Sequence, residues 1–342
     1  MRVGLLFGGN SFEHDVSIVT AKIIYKELKK NHDVLLLYID YNNDVYRISK
    51  LYQSDIKVGS KKIHFTKKGI KKGLLKLKLD VLISVMHGNN GEDGLAYWLS
   101  IFYQIPYVGS NGIASGLLMD KYYTYAVLKE HGYQVLPSKL LLNKDFEFNN
   151  LDYPFIVKPV EAGSSIGIDV VNNEEELVEK INYAFKFSDR LLIQKYLQNF
   201  SELNQAAYIQ NGEIVVSKIE EVYKHEAILS FNDKYLQSKL PKKRVFVEDE
   251  KIVTLVSSVT KALYQLFDLS GVVRFDYMLE GETLYVNEVN TTPGSLAYYL
   301  FDVSPTLFFD NLIYEALRRK TVEKTNHFES EILNHTSGLK NY

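Results

Sequence analysis

Cysteine is absent from the 342-residue chain, which excludes disulfides, thiolate catalysis and cysteine-ligated zinc. Also missing is any apolar run approaching the roughly 18 residues that a membrane span needs. The opening residues, MRVGLLFGGNSFEHD, turn to glycines and acids after a short apolar run, whereas a signal peptide needs a longer one and a small-residue cleavage site. A cytoplasmic protein is therefore expected. Charge of one sign is scarce as well: 40 Lys and Arg against 42 Asp and Glu leave a formal net charge of −2. A dedicated nucleic-acid binder would be strongly basic, so neither nucleic acid nor membrane is expected as a partner. Internal repeats, low-complexity linkers and a G-x-G-x-x-G fingerprint are lacking, which disfavours a nicotinamide oxidoreductase.

What is there is an ordinary globular composition, 46% hydrophobic and 24% charged. The chain is too long for one simple core and suits two or three domains. One stretch is biased: Lys61 to Lys78 holds eight lysines and no acid. With arginine absent and aromatics few, it reads as a solvated surface hairpin rather than a nucleic-acid groove.

The most informative stretch is residues 271–294, GVVRFDYMLEGETLYVNEVNTTPG. It reads as two strands around a Glu280-Gly281-Glu282 turn, followed by an Asn-Thr-Thr-Pro-Gly loop. Residues two apart on a strand share a face, so Glu288 and Asn290 project together, with Asp276 opposite Glu288. Two carboxylates and an amide make an all-oxygen set suited to Mg²⁺ and poor for zinc. Arg274 adds a cation on the same face. An exposed hairpin with ordinary polar residues would carry the same pattern.

Residues 2–7 (RVGLLF) read as a buried parallel strand ending at Gly8-Gly9. A helix from Asp15 to about Lys30 and a strand over 33–40 follow. The intervening loop lies at a strand's carboxyl end, where α/β folds place ligands. It offers Glu13, which could receive an ammonium group or simply favour a helix start. A strand over 79–86 leads into the glycine-rich loop HGNNGEDG, then a helix over 93–103 and a strand at 106–108. Residues 113–131 read as one helix closed by Gly132, with Lys121 near its middle. A strand over 154–158 ends at Lys158, and the loop Glu161 to Gly167 can fold over phosphates, a plain β-turn being the alternative. A helix over 174–186, a strand over 190–196 and a strand opening at Glu202 come next. That strand forms a hairpin across Asn211-Gly212 into residues 213–222. The polar loop 228–242 could place Lys234 and Tyr235 as a lid. An amphipathic helix over 249–267 precedes the hairpin, and a helix over 303–320 closes the chain before a polar tail.

The motifs in order are GGNSFEHDVS, HGNNGEDG, MDK, VKPVEAGSSIG, the lysine-tyrosine loop and RFDYM…YVNEVNTTPG. The set resembles the D-alanine–D-alanine ligase family of the ATP-grasp superfamily, from about Val3 to about Gly294. The resemblance implies an α/β ATP-grasp fold: an N-terminal Rossmann-like domain (residues 1–112), a central ATP-grasp subdomain (113–194), a C-terminal subdomain with the metal site (195–328) and a tail (329–342). It implies ATP-dependent joining of two D-alanines through an acyl phosphate for peptidoglycan synthesis, in a homodimer.

By the same resemblance, Asp276, Glu288 and Asn290 hold two Mg²⁺, for which Mn²⁺ can substitute. Lys121, Lys158 and Lys234 meet phosphates, Ser165 covers them, and Gln194 and Glu202 face the purine and ribose. Glu13 receives the first D-alanine's ammonium, with His87 beside its carboxylate. Glu13, Ser164 and Tyr235 form a hydrogen-bonded set. Arg274 and the Gly294 N–H polarise the carboxyl group and then hold the oxyanion.

Three departures stand out. Gln194 replaces the usual glutamate, and GLAYWLS replaces a Q-G-x-L-E run, a change that concerns packing or dimer contact. Tyr299 stands where a serine contacts the second substrate's carboxylate. The acceptor could therefore be D-serine, D-lactate or another amine. A ligase of another pathway and a non-catalytic nucleotide-binding paralogue are further alternatives, the latter weakened because no metal ligand is lost.

Overall fold

The computed structural model describes residues 1–49, 51, 62–142, 152–222 and 244–319. The predicted lid residues Lys234 and Tyr235 lie outside the described residues, as does the tail 329–342. A first sheet has the order β3-β2-β1-β7-β8, formed by β1 (Arg2–Gly8), β2 (Asp33–Ile39), β3 (Val45–Ile48), β7 (Val81–Ser84) and β8 (Tyr107–Val108). All pairs are parallel except β2 with β3. The strand β1 is apolar almost throughout because both its faces are covered. Val3, Leu5 and Phe7 pack under α1 (His14–Leu28) with Ile24 and Leu28. Leu6 faces the other way, toward Leu35, Leu37 and Leu82.

The lysine-rich stretch is more than a hairpin. It forms three antiparallel strands, β4 (His64–Thr66), β5 (Gly69–Lys72) and β6 (Leu75–Lys78), whose apolar side completes the lower core of the first sheet. The helix α2 (Leu95–Phe102) then follows the GEDG loop.

The second sheet is antiparallel, in the order β11-β10-β12-β9, from β9 (Ser138–Leu141), β10 (Phe155–Pro159), β11 (Asp169–Val171) and β12 (Leu191–Lys195). The helix α5 (Glu174–Ala184) buries Leu177 and Ile181 against it. The single helix expected over 113–131 is two, α3 (Gly112–Met119) and α4 (Lys121–Glu130). Asp120 between them is extended, with φ −89° and ψ 106°, and its carboxylate accepts from the Tyr123 N–H as the cap of α4. Helical periodicity continues across this joint, so spacing alone does not reveal a cap that also pairs with Arg190. Lys121 is consequently the first residue of α4, not the middle of a long helix.

The third sheet runs β16-β15-β13-β17-β18, with β14 also on β13. Its strands are β13 (Ser201–Gln210), β14 (Glu213–Val216), β15 (Glu220–Val222), β16 (Val245–Phe246), β17 (Val273–Glu280) and β18 (Thr283–Asn290). The run expected over 213–222 breaks at Ser217, whose side-chain oxygen accepts the Ala206 N–H in place of a backbone carbonyl. The helix α6 (Glu250–Leu266) covers this sheet with Val256, Leu263 and Tyr264. The last helix, α7 (Pro305–Arg318), is capped by Ser304 and has proline at its start. It packs Phe308, Phe309, Leu312 and Ile313 into the core beneath α1. Among the described residues no helix is long and apolar enough to cross a membrane.

Candidate active site

The hairpin β17–β18 forms the floor of a cleft of about 420 Å³ between the three sheets. Its register sets Asp276 opposite Glu288 and Arg274 opposite Asn290, with Phe275, Tyr277, Val286 and Val289 in the core behind. Val286 and Glu288 would share a face on a regular strand. An irregularity leaves Asn287 unpaired and switches the face, so that Glu288 and Asn290 point into the cleft. Arg274 donates to both oxygens of Asp276, Nε–Oδ1 at 2.6 Å and Nη2–Oδ2 at 2.7 Å. Burial opposes the Arg274 charge, but Asp276 outweighs it and holds the pKa well above the ordinary arginine value. Asn290 Nδ2 donates to Asp276 at 3.0 Å, leaving its carbonyl oxygen as the group available to a cation.

Among the described residues, no three His, Cys, Asp or Glu side chains are grouped as a metal cage. The oxygen set of Asp276, Glu288 and Asn290 still fits Mg²⁺, which takes one or two carboxylates and completes its shell with water and phosphate oxygens.

Two lysines border this floor. Lys121 Nζ donates to the Ala162 carbonyl at 2.8 Å and lies 3.3 Å from Glu288 Oε1. Burial alone would lower its pKa; Glu288 and Tyr125 together raise it above the usual lysine value. Lys158, at the end of β10, is buried and has its pKa brought down to about 7 by desolvation and then by the Lys121 charge. Its Nζ donates to Tyr125 Oη at 2.9 Å, and Tyr125 donates its own proton to the Asn287 carbonyl at 2.8 Å. Burial raises the Tyr125 pKa to about 12, so the hydroxyl keeps that proton. Sequence reading missed Tyr125, one helical turn beyond Lys121, because one tyrosine among 25 carries no signal of its own.

The loop after β10 closes over Glu13. Ser164 donates to Glu13 Oε1, and Ser164 and Ser165 both have positive φ, 54° and 60°. A Cβ at residue 163 would lie 2.8 Å from Glu13 Oε2, so a larger residue there would displace the Glu13 carboxylate. Glu13 is only 8% exposed, and its pKa is raised by burial first and then by the charge of Glu92. His87 stands between Thr20 Oγ1 (3.2 Å) and Glu92 Oε1 (3.7 Å). The Thr20 oxygen also accepts from the Ser295 N–H at 3.3 Å, which ties α1 to the loop after the hairpin. There Ser295, Leu296 and Ala297 all adopt left-handed φ near 50°, a costly conformation that turns the Gly294 end of the loop into the cleft.

A second cavity of about 110 Å³ adjoins the cleft and shares Lys121, Ser164, Glu202, Asp276 and Glu288 with it. Ile156, Leu136, Leu197 and Met278 give it an apolar wall, and Ser165 and Lys158 line it too. Gln194 also lines it, and its Oε1 has no hydrogen-bond partner despite being buried. A buried acceptor without a partner is expensive; an aromatic base with an exocyclic amine would satisfy it. On the opposite side of the cleft, the Arg244 guanidinium stacks 4.1 Å from the Tyr299 ring centre, and Arg244 Nε is 3.1 Å from Glu220 Oε1. Neither Arg244 nor Glu220 stood out in the sequence.

The sequence matches the D-ala D-ala ligase N-terminus model over residues 2–110 and the C-terminus model over 121–306. The chain belongs to the D-alanine–D-alanine ligase family. A curated ligase of this name from Helicobacter pylori is 34% identical over 97% of this chain and 99% of its own length. One from Thermosipho melanesiensis is 30% identical over 97% of this chain and 98% of its own. The crystal structure of the Helicobacter pylori ligase superposes with a TM-score of 0.77 at 30% identity, covering 92% of this chain and 98% of that one. The ATP complex of the Bacillus anthracis ligase, at 24% identity, shares the fold with a TM-score of 0.66 over 93% of this chain and 97% of that one. The three sheets are therefore those of an ATP-grasp ligase, and the α/β class expected from sequence stands.

Proposed function

We propose that this chain joins two D-alanine molecules into D-alanyl-D-alanine at the expense of ATP, for peptidoglycan precursor synthesis. The observation that carries this reading is the joint position of two sets in one cleft: the charge-clamped hairpin and the buried Glu13 cluster. The adenine of ATP would enter the adjoining cavity, with Gln194 toward the base amine, and the rest of the nucleotide would extend into the cleft, with Glu202 toward the ribose and Lys121 and Lys158 toward the phosphates. The γ-phosphoryl group passes to the first D-alanine carboxylate, giving an acyl phosphate and ADP. The second D-alanine's amine attacks that carbonyl and loses a proton, and the tetrahedral species collapses with release of phosphate.

Glu13 would hold the first ammonium while His87 sits beside its carboxylate. Arg274, already fixed by Asp276, and the Gly294 N–H would stabilise the oxyanion, and preorganised donors of this kind need no rearrangement at the moment of reaction. Ser165 would cover the phosphates. The roles given to Lys234 and Tyr235 rest on resemblance alone. Mg²⁺ held by the oxygens of Asp276, Glu288 and Asn290 would neutralise developing phosphate charge.

A homodimer and a cytoplasmic location belong to the same reading. The face of α2 that carries Leu95, Trp98 and Phe102 (the last 79% exposed) is a natural surface for a second copy.

The deciding experiment measures phosphate release from ATP and Mg²⁺ with D-alanine, with mass spectrometry of the product. Dipeptide from D-alanine alone supports the ligase, and Glu288→Gln should abolish it; near-normal ADP formation by that variant would remove the hairpin from the mechanism. A second reading is favoured by Tyr299, whose ring is held by Arg244 where family members carry a small serine. Release only with D-serine, D-lactate or another amine would establish that acceptor instead.

A further inference from the structure

The three-stranded sheet β4–β5–β6 takes no part in the cleft, since none of its residues lines either cavity. Its inner side sends Ile63, Phe65, Ile70 and Leu77 into the first domain. The register of its outer side is unusual. His64 stands opposite Lys71, and Lys71 opposite Lys76, so three basic side chains form one row across the sheet. Lys62 and Lys78 lie two residues along on the same face and are exposed.

Like charges directly opposite one another weaken a strand pair. Lys62 and Lys78 approach Asp44 and Asp80, but among the described residues no carboxylate pairs with Lys71 or Lys76. Lysines often guard sheet edges against unwanted strand pairing. That would account for Lys76 on the edge strand β6, but not for Lys71 on the central strand. At the tip, Gly73 with φ +59° begins a two-residue turn that projects Leu74, which is 99% exposed, next to Leu75 at 55%.

We propose that this face is a docking surface for a bilayer bearing anionic phospholipid headgroups. Lys71, Lys76 and Lys78 would meet the headgroups and relieve their mutual repulsion, and Leu74 would enter the acyl boundary. An apolar tip beside clustered lysines is the combination that binds peripherally to such surfaces. Nucleic acid fits less well, because grooves for it use arginine and stacking aromatics. This sheet has no arginine, and its one phenylalanine, Phe65, faces the core. A peripheral contact is a different matter from a membrane span, so this proposal revises the expectation that no membrane partner exists.

The test is sedimentation of the full-length protein with vesicles of mixed phosphatidylglycerol and phosphatidylcholine, against vesicles of phosphatidylcholine alone. Binding should be confined to the anionic vesicles and should fall steeply with added salt. Lys71→Gln with Lys76→Gln should weaken it about 30-fold, at roughly fivefold for each lysine lost. Leu74→Ser alone should weaken it severalfold. Both variants should keep wild-type ligase turnover, which separates this proposal from the assignment of the active site. Absence of binding to anionic vesicles, or binding unchanged in the Lys71/Lys76 variant, would overturn the proposal. So would binding that Leu74→Ser leaves intact and duplex DNA competes away, since that would mark a general polyanion patch.

Discussion

Glu13 and Lys158 carry the clearest consequences at the scale of single residues. Burial and the Glu92 charge hold Glu13 above the ordinary carboxylate range. A carboxyl group whose folded pKa is raised takes up its proton at a higher pH than an exposed one. On the role proposed for Glu13, the ammonium of the first D-alanine would lose its anionic partner as pH falls through that raised pKa. The first D-alanine's KM should therefore rise on mild acidification, and Glu13→Gln should weaken binding while removing this limb of the profile. A limb of the same shape in the variant would place the titrating group elsewhere. Lys158 has the opposite perturbation, its charge disfavoured by burial and by Lys121. The Tyr125 hydroxyl is its hydrogen-bond acceptor, and the proton that Tyr125 gives to Asn287 leaves a lone pair facing the ammonium. Tyr125→Phe should raise the KM for ATP about tenfold near neutral pH, as expected for loss of a hydrogen bond to a charged group worth about 1.5 kcal/mol. The fall in kcat should be smaller, and lower pH should restore part of the affinity by recharging Lys158. A KM equal to wild type would show that the hydroxyl does not position the lysine. Neither effect could be read from the residue types, because both pKa shifts arise from neighbours distant in sequence.

At the scale of elements, the joint between α3 and α4 matters most. Asp120 ends one helix, caps the next and pairs with Arg190, and this places Lys121 at a helix start with its amine over Glu288. Asp120→Ala should cost about 1–2 kcal/mol from the lost cap, visible as a lower urea midpoint. It should also raise the KM for ATP through displacement of Lys121; an unchanged midpoint and KM together would refute this role. The hairpin and the pairing of Asp276 with Glu288 were legible in the sequence, because alternation and a Gly turn constrain two adjacent strands. The joint at Asp120 was not, since the apolar spacing of a helix runs on through a cap. Nor was the switch of face at Asn287, as a bulge residue looks like any other polar member of a strand. The third strand of the lysine-rich sheet went unread for a related reason: short strands with one charged face resemble loops.

At the scale of the whole molecule, the closing helix α7 follows the third sheet in sequence yet packs beneath α1. Asp310 fastens it there by accepting from Asn31 Nδ2 at 2.8 Å and lying 2.8 Å from His32 Nε2. Phe308 is fully buried among Tyr208, Phe301 and Phe309, so it links the first core to strand β13. Phe308→Ala should cost about 3–5 kcal/mol in denaturant unfolding, as large-to-small changes in packed cores do. A loss under about 1 kcal/mol would mean that the helix is dispensable to the first core. The sequence by itself determined the order of the elements and the family, and it picked out most of the candidate residues that line the cleft and its adjoining cavity, because ordered motifs and short-range periodicity are local properties of the chain. Only the tertiary structure decided which charges clamp one another. Arg274 on Asp276, Lys121 over Glu288, Ser164 on Glu13, Lys158 on Tyr125 and Arg244 over Tyr299 are set mainly by how three sheets meet. Four of these five contacts join residues far apart in the chain, and burial then gives them strengths and pKa values that no local pattern encodes.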